Sequence, residues 1–206
     1  SSPTGPAFEG AQISCGQRAA AGAIERVRID RDTLEPRFKV IGSDLWSDEE
    51  LFENTLSSEL ITGICGSGII EVISEMYLSG IISEDGVING DLCKRSNRIL
   101  SDGRTWSYLL HNTEDNAAQI VVTQNDVRQI QLAKAALYAG IKLLMDHVGC
   151  RQIERIRLAG AFGSHIDALC AMVLGLIPDC GLSEVSSAGN AAGTGARIAL
   201  LNTQSR

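Results

Sequence analysis

The sequence has few aromatic residues, no long apolar run and no cluster of basic residues. Aromatic residues make up 4% of its 206 positions, so the core has to be built mainly from Ile, Leu, Val and Ala. No apolar run approaches the ~18 residues of a transmembrane helix. Lys and Arg are scattered and the net charge is −7, which argues against a nucleic-acid-binding surface. We therefore expect neither a membrane nor a nucleic acid as a partner.

Close cysteine pairs are also missing. The six cysteines show no CxxC spacing and stand at positions 15, 65, 93, 150, 170 and 180. Zinc and iron–sulfur sites usually contain such pairs, so we expect no metal site and no bound cofactor in this chain alone. No secretory signal is visible, and scattered reduced thiols are typical of a cytoplasmic protein. Because the chain begins with Ser-Ser-Pro rather than Met, we expect a fragment of a longer protein or a processed product.

The hydrophobic fraction of 44% and the charged fraction of 21% are typical of a folded globular domain. Alternation of apolar and polar residues over 23–41 predicts two strands, either a hairpin or two edge strands, with one polar face. The capping box at 47–50 predicts that a short helix starts there. Residues 61–68 form a glycine loop that leads into a helix ending at Gly80. Turn signals over 83–117 indicate a loop or hairpin insertion.

From residue 119 onward, predicted strands and helices alternate. The elements are a strand at 119–122, a long helix capped by 123–126 and closed by Gly149, a strand at 155–158, a helix near 167–174 and a last helix over about 190–201. Such alternation predicts an α/β layer with right-handed crossovers.

The strand at 155–158 runs into a glycine loop that we take as a candidate nucleotide-binding site. Its residues are Gly160, Ala161, Phe162, Gly163 and Ser164. Ligands of open α/β sheets bind where a strand turns into a helix, because glycines there admit a base or ribose and the helix offers free N–H groups. The alternative is a tight strand-to-helix turn that needs glycine for packing alone.

Two further loops contain candidate residues. Gly66, Ser67 and Gly68 lie at a helix start, where Ser67 either caps the helix or binds an anion. The pattern is neither a P-loop nor a dinucleotide fingerprint, so a glycine-rich helix entry without a ligand is an equal alternative. In the loop 5–10 the candidates are Glu9 and Gly10, since Glu9 can orient a ribose or a metal-bound water. An exposed or capping glutamate is the alternative there.

No catalytic constellation is visible, and we assign no catalytic residue. The three histidines lie far apart in sequence, and His165 alone stands beside a candidate loop. Gly193 and Gly195 lie within the last predicted helix, where a glycine costs about 1 kcal/mol relative to alanine. That cost indicates a close helix crossing, with a loosely formed helix start as the alternative.

Six segments stand in an order that resembles one protein family. They are PTGPAFEGA (3–11), ISCG (13–16), GICGSG (63–68), QLAKAA (131–136), LAGAFG (158–163) and GNAA (189–192). Through these segments the chain resembles the C-terminal part of the ATP-dependent reductive activators of corrinoid proteins, which are iron–sulfur proteins of methyl-transfer pathways. The resemblance covers nearly the whole chain and is weakest at 42–57 and 83–117.

The resemblance implies an α/β fold, an actin-like ATPase lobe of the ribonuclease H-like type with a mixed sheet flanked by helices. The chain would be a single lobe, most of the second half of that ATPase domain, and a ferredoxin domain and the first lobe would precede it. The adenosine motif would lie at 160–164, and the helix from about 190 would cross a partner helix at the hinge. Gly160-Ala161 stands where the family usually has Gly-Gly.

The resemblance also implies a function. The family uses ATP and magnesium to drive electron transfer from an iron–sulfur cluster in its N-terminal domain to the cob(II)alamin of a corrinoid protein in a methyltransferase system. This lobe would supply the adenosine side of the cleft and part of the docking surface, and the chain alone would not hydrolyse ATP. Two other functions stay open, a non-catalytic actin-like docking scaffold and a kinase of the same superfold.

Overall fold

The computed structural model describes residues 5–55, 61–112, 119–160 and 162–202. A first sheet has the strand order β2-β1-β3 and consists of β1 (Ala23–Ile29), β2 (Pro36–Val40) and β3 (Gly63–Ile64). β1 is antiparallel to β2 and parallel to β3, so this sheet is mixed. The two strands predicted from alternation are confirmed, because Val27 and Ile29 on one face of β1 are buried in the core.

Helix α2 (Gly66–Leu78) packs across β1 and supplies much of the core. Its apolar residues recur at helical spacing, and the buried ones include Ile69, Ile70, Ile73 and Met76. The chain leaves the helix through Gly80, whose φ of +74° favours glycine. The glycine loop, the helix and its end are therefore confirmed.

The short helix that follows β2 starts later than its sequence suggests. Helix α1 spans Phe52–Thr55, whereas the capping box predicts a start near Ser47. The hydroxyl of Ser47 accepts a hydrogen bond from the N–H of Phe38 at 3.0 Å, and the N–H of Ser47 donates to the carbonyl of Phe38 at 2.8 Å. Ser47 thus covers the outer edge of β2, and the prediction that it caps a helix is wrong.

The segment 83–117 contains the predicted hairpin. β4 (Ile99–Asp102) and β5 (Thr105–Asn112) pair antiparallel, and β5 pairs on its other edge with β6 (Gln119–Thr123). Residues 113–118 lie outside the described residues. The strand predicted before the long helix is confirmed. Its expected place in an α/β layer is wrong, because β6 belongs to this separate antiparallel sheet.

Tyr108 of β5 joins the insertion to the first sheet. Its hydroxyl donates a hydrogen bond to the carbonyl of Leu34 at 2.9 Å, and its side chain is fully buried. Burial raises the pKa of Tyr108 far above its ordinary value, so the hydroxyl stays a donor. Leu34 is also buried and has a φ of +63°, which is uncommon outside glycine. The insertion therefore shares the core of the domain.

The long helix α3 (Gln124–Val148) begins and ends where the sequence predicts. Thr123 and Asp126 form a capping box, in which each side chain accepts a hydrogen bond from the backbone N–H of the other. The buried carboxylate of Asp126 also accepts from the N–H and the hydroxyl of Ser14, at 2.8 and 3.1 Å. The start of α3 therefore holds the N-terminal loop of the chain in place.

The last elements are β7 (Ile156–Leu158), α4 (Ala168–Val173), β8 (Val185–Ser187) and α5 (Ala191–Leu201). β7 and β8 pair in parallel with α4 between them in the chain, in keeping with the predicted α/β class. No residue of α5 is buried, and a Cβ added at Gly195 would meet no atom within 4 Å. The close crossing predicted from Gly193 and Gly195 is therefore not made by the described residues.

Candidate functional site

A cavity of about 610 Å³ lies where the three candidate loops meet. The first loop contributes Glu9, the start of α2 contributes Gly66 and Ser67, and the loop after β7 contributes Phe162. The three loops are more than 50 positions apart in sequence, and the fold brings them to one opening. The structure therefore places four of the ten predicted site residues around a single cavity.

Gly66 is the point at which the three loops touch. A Cβ at this position would overlap the carbonyl oxygen of Phe8 and would lie 2.6 Å from the ring of Phe162. The rings of Phe8 and Phe162 pack with their centroids 5.8 Å apart and their planes tilted by 40°. A residue without a side chain at 66 is therefore required for this packing, which forms the apolar wall of the cavity.

The residues in the first turn of α2 have two different roles, lining the cavity and packing against β1. The N-cap position is Cys65, so the alternative in which Ser67 caps the helix is wrong. Ser67 is 6% exposed, its hydroxyl lies 3.3 Å from the sulfur of Cys65, and it lines the cavity. Gly68 faces the sheet instead, because a Cβ there would overlap the carbonyl oxygen of Ile24. Its role is close helix–strand packing, and it does not line the cavity.

The loop after β7 is shaped mainly by its own turn. Gly160 has a φ of +107°, which favours glycine, and its carbonyl accepts hydrogen bonds from the N–H and the hydroxyl of Ser164 at 3.2 and 3.0 Å. A Cβ at Gly163 would lie 3.3 Å from the carbonyl carbon of Leu158. These contacts fit the alternative of a tight strand-to-helix turn for Gly160, Gly163 and Ser164. Ala161 lies outside the described residues.

The first loop contains a 3-10 turn over Pro6–Glu9 that ends at Gly10. Gly10 has a φ of +81°, and a Cβ there would lie 2.5 Å from the backbone nitrogen of Gln17. Gly10 is thus needed for the turn and for packing, and it does not line the cavity. Glu9 is exposed at the cavity edge, where its carboxylate is free to meet a polar ligand.

Most of the polar lining of the cavity carries no clear signal in the sequence. Gln17, Arg18 and Glu25 also line the cavity, and His165, the histidine singled out beside the candidate loop, lies there too. Glu25 lies at the register shift between Ile24 and Arg26 of β1, so strict alternation would have placed it on the buried face with Val27. Gln17 and Arg18 follow the ISCG segment without any pattern of their own. The lining combines two carboxylates with one guanidinium, opposite an apolar aromatic wall.

The position of α2 depends on a buried carboxylate that the sequence did not reveal. Glu71 is fully buried and accepts hydrogen bonds from Arg26 at 2.6 Å, from Arg28 at 2.7 Å and from the N–H of Val27 at 2.9 Å. Burial opposes the charge on Arg28, but the nearby carboxylates outweigh it and raise the pKa of Arg28. The side chains of Arg26 and Arg28 and the N–H of Val27 are thus turned towards the middle of α2, and this network fixes α2 against β1.

Of the six cysteines, Cys65 lines the cavity beside Ser67. All six are free thiols, and burial raises the pKa of Cys170 to about 12. Among the residues that the structure describes, no group of three or more His, Cys, Asp and Glu is placed to hold a metal ion. In the same part of the chain, no helix is both long and apolar enough to cross a membrane.

Comparisons with known proteins agree on one family. A family model described as the C-terminal domain of RACo, the ASKHA domain, matches residues 1–206. The chain is 36% identical over 213 residues to the corrinoid activation enzyme RamQ of Eubacterium limosum. This alignment covers 99% of the present chain and 33% of the relative. A solved structure of a reductive activator for corrinoid, iron–sulfur protein matches with a TM-score of 0.80 and 32% identity, covering 98% of this chain and 30% of that one. The chain thus spans about a third of the length of these relatives.

Proposed function

This chain belongs to the family of C-terminal ASKHA domains of RACo, and we propose that it forms the adenosine side of the ATP cleft in a larger corrinoid activator. The observation that carries the proposal is the 610 Å³ cavity at which Glu9, Gly66, Ser67 and Phe162 meet. Its volume lies within the ~300–1,000 Å³ typical of small-molecule sites. Predominantly apolar walls with a few polar groups are also typical of such sites.

Each part of the cavity suits one part of a nucleotide. The wall of Phe8, Phe162 and Gly66 offers a flat apolar surface for a purine. Glu9 lies at the edge of the cavity, where it would accept hydrogen bonds from ribose hydroxyls or from a metal-bound water. The first N–H groups of α2 have no partner within the helix, so the turn at Gly66 and Ser67 favours an anionic group. Most phosphate and magnesium ligands would come from the remaining part of the activator.

In the complete activator, nucleotide binding would drive closure of the two lobes. An iron–sulfur cluster in the remaining polypeptide would give up one electron, and the cob(II)alamin of a corrinoid protein of a methyltransferase system would take it up and become cob(I)alamin. ATP shifts the closure equilibrium only by its different affinity for the open and closed states. This chain's contribution is to bind and orient the adenosine part and to present a docking surface.

The proposal is tested by following the reduction of a corrinoid protein by the complete activator. The absorbance of cob(II)alamin is recorded under reducing conditions, with and without ATP. We expect reduction to depend on ATP and nucleotide to bind the activator. Reduction that is equally complete without ATP, together with an activator that binds no nucleotide, would favour the non-catalytic docking scaffold.

Replacing Glu9 with Gln in the complete activator should raise the dissociation constant for ATP by about tenfold. The reason is that hydrogen bonds to a charged acceptor contribute about 1.5–3 kcal/mol, and 1.4 kcal/mol corresponds to tenfold. The affinity is measured by titration with a fluorescent ATP analogue. Glu53→Gln on α1 is the matched control, because Glu53 is exposed and does not line the cavity. Equal affinities for both variants would remove Glu9 from the site.

The 206-residue chain alone should show no ATP hydrolysis. Charge that develops on the phosphates in the transition state needs donors and a metal ion, and the proposal places most of these outside this chain. Release of inorganic phosphate by the purified chain is the measurement. Turnover that stays with the chain through purification and is lost in Gly66→Ala would contradict the assignment of this chain to one side of the cleft.

A further inference from the structure

Arg28 of β1 lies between carboxylates of two helices. One guanidinium nitrogen donates to Glu71 at 2.7 Å, and the other lies 3.5 Å from Asp167. Glu75, one turn further along α2, is 3.9 Å from the same guanidinium. An arginine can hold two such partners because its donors form a planar fork, which a lysine does not have.

Asp167 has a second task at the start of α4. Its other carboxylate oxygen accepts a hydrogen bond from the N–H of Cys170 at 2.9 Å and so caps this helix. The loop that ends at Asp167 contains Phe162 and His165, both of which line the cavity. The pair of Arg28 and Asp167 therefore joins this loop to the sheet.

The two other elements held by Arg28 also contribute to the cavity. β1 supplies Glu25, three residues before Arg28, and α2 supplies Gly66 and Ser67 ahead of Glu71. The guanidinium thus connects the three elements whose relative placement sets the width of the cavity. It lies outside the cavity lining, so any effect on a ligand has to act through those elements.

We propose that Arg28 and Asp167 act as positioning residues, a clasp that holds Phe162 against Gly66 in the geometry that binds the nucleotide. This inference rests on the proposed function. The side chains of Arg28 and Asp167 are 37% and 26% exposed, so dissolved salt screens the attraction between their charges. Partly exposed ion pairs contribute little to stability, so the clasp affects the placement of the loop more than the survival of the fold.

Two substitutions of Asp167 separate the charge from the cap. Asp167→Asn keeps a good N-cap side chain and removes the negative charge. Asp167→Glu keeps the charge but is not among the residues favoured at the N-cap. Both are made in the complete activator, and each is measured for its thermal unfolding midpoint and for its affinity for a fluorescent ATP analogue.

If Arg28 and Asp167 position the loop, Asp167→Asn should weaken nucleotide affinity by about threefold to fivefold, with little change in the unfolding midpoint. Asp167→Glu should lower the midpoint and keep the affinity. The ratio of the dissociation constants of Asp167→Asn and the unsubstituted activator should approach one at about 1 M salt, where the Debye length is ~3 Å.

A merely structural role makes a different prediction, in which the affinity follows the unfolding midpoint and Asp167→Glu binds less tightly than Asp167→Asn. That order, or an unchanged affinity in Asp167→Asn at low salt, overturns the clasp while leaving the proposed function standing. An unsubstituted activator that binds no ATP analogue overturns both. The three results are distinguishable within one set of titrations.

Discussion

Replacing Glu71 with alanine is expected to lower the free energy of unfolding of this domain by about 3 kcal/mol. The substitution leaves Arg26 and Arg28 without their buried partner and removes the acceptor of the N–H of Val27. Breaking a buried ion pair by removing one partner costs about 3–5 kcal/mol. The lower end applies because the two arginine side chains are 32% and 37% exposed and regain some solvation from water.

The measurement is chemical denaturation of the 206-residue chain and of its variants. Glu75→Ala is the matched control, since Glu75 lies one turn further along α2 and accepts from the N–H of Ile29 at 3.1 Å. Its side chain is 16% exposed and its ion pair with Arg28 is long, so a loss of about 1 kcal/mol is expected. Similar losses for the two variants would show that the buried network at Glu71 does not anchor α2.

Replacing Gly66 with alanine should disrupt both the fold around the cavity and nucleotide binding. The added methyl group would overlap the carbonyl of Phe8, which is backbone and cannot move without shifting its loop. Overpacking of this kind costs about 1–3 kcal/mol, and a backbone clash belongs at the upper end. Because the displaced loops carry Glu9 and Phe162, the affinity of the complete activator for ATP should fall by tenfold or more.

Gly195→Ala provides a control with the opposite sign. Gly195 lies inside α5, where an added Cβ meets no atom within 4 Å, so alanine should stabilise the helix by up to about 1 kcal/mol. Thermal unfolding and titration with an ATP analogue are measured for both variants. A Gly66→Ala variant that melts and binds like the unsubstituted protein would show that the three loops do not meet as described.

Elements with strong local signals were predicted well. The long helix α3 has a capping box at Thr123 and Asp126, an apolar repeat and a closing Gly149. Each of these signals depends on contacts between residues only a few positions apart in the chain. The signal at Ser47 failed, because its hydroxyl bonds with Phe38, nine residues away on a neighbouring strand. β6 was recognised as a strand, but its pairing with β5 depends on a partner that periodicity does not identify.

The candidate site shows the same division. The three glycine loops are visible in the sequence, two of them at predicted helix starts, and they meet at one cavity through Glu9, Gly66 and Phe162. Whether a given glycine faces a ligand or another backbone is not visible there. Gly68 faces Ile24, and Gly10 faces Gln17, so both serve packing. The buried acceptor Glu71 was missed because it looks like any polar residue on a helix surface.

Local chain chemistry was sufficient for the start and end of α2 and α3, for the β1–β2 hairpin and for the family resemblance. The helix boundaries and the hairpin depend on hydrogen bonds and apolar spacing between residues a few positions apart, and the resemblance depends on the order of six short segments. Tertiary structure decided three other features. The burial of Glu71 against the two arginines and the convergence of three loops at Gly66 depend on contacts between residues 40 or more positions apart. The pairing of β6 depends on a partner strand on the other side of a loop. Such contacts are determined by the packing of the whole core. A buried charge or a buried backbone polar group is stable only where the fold places a hydrogen-bonding partner beside it.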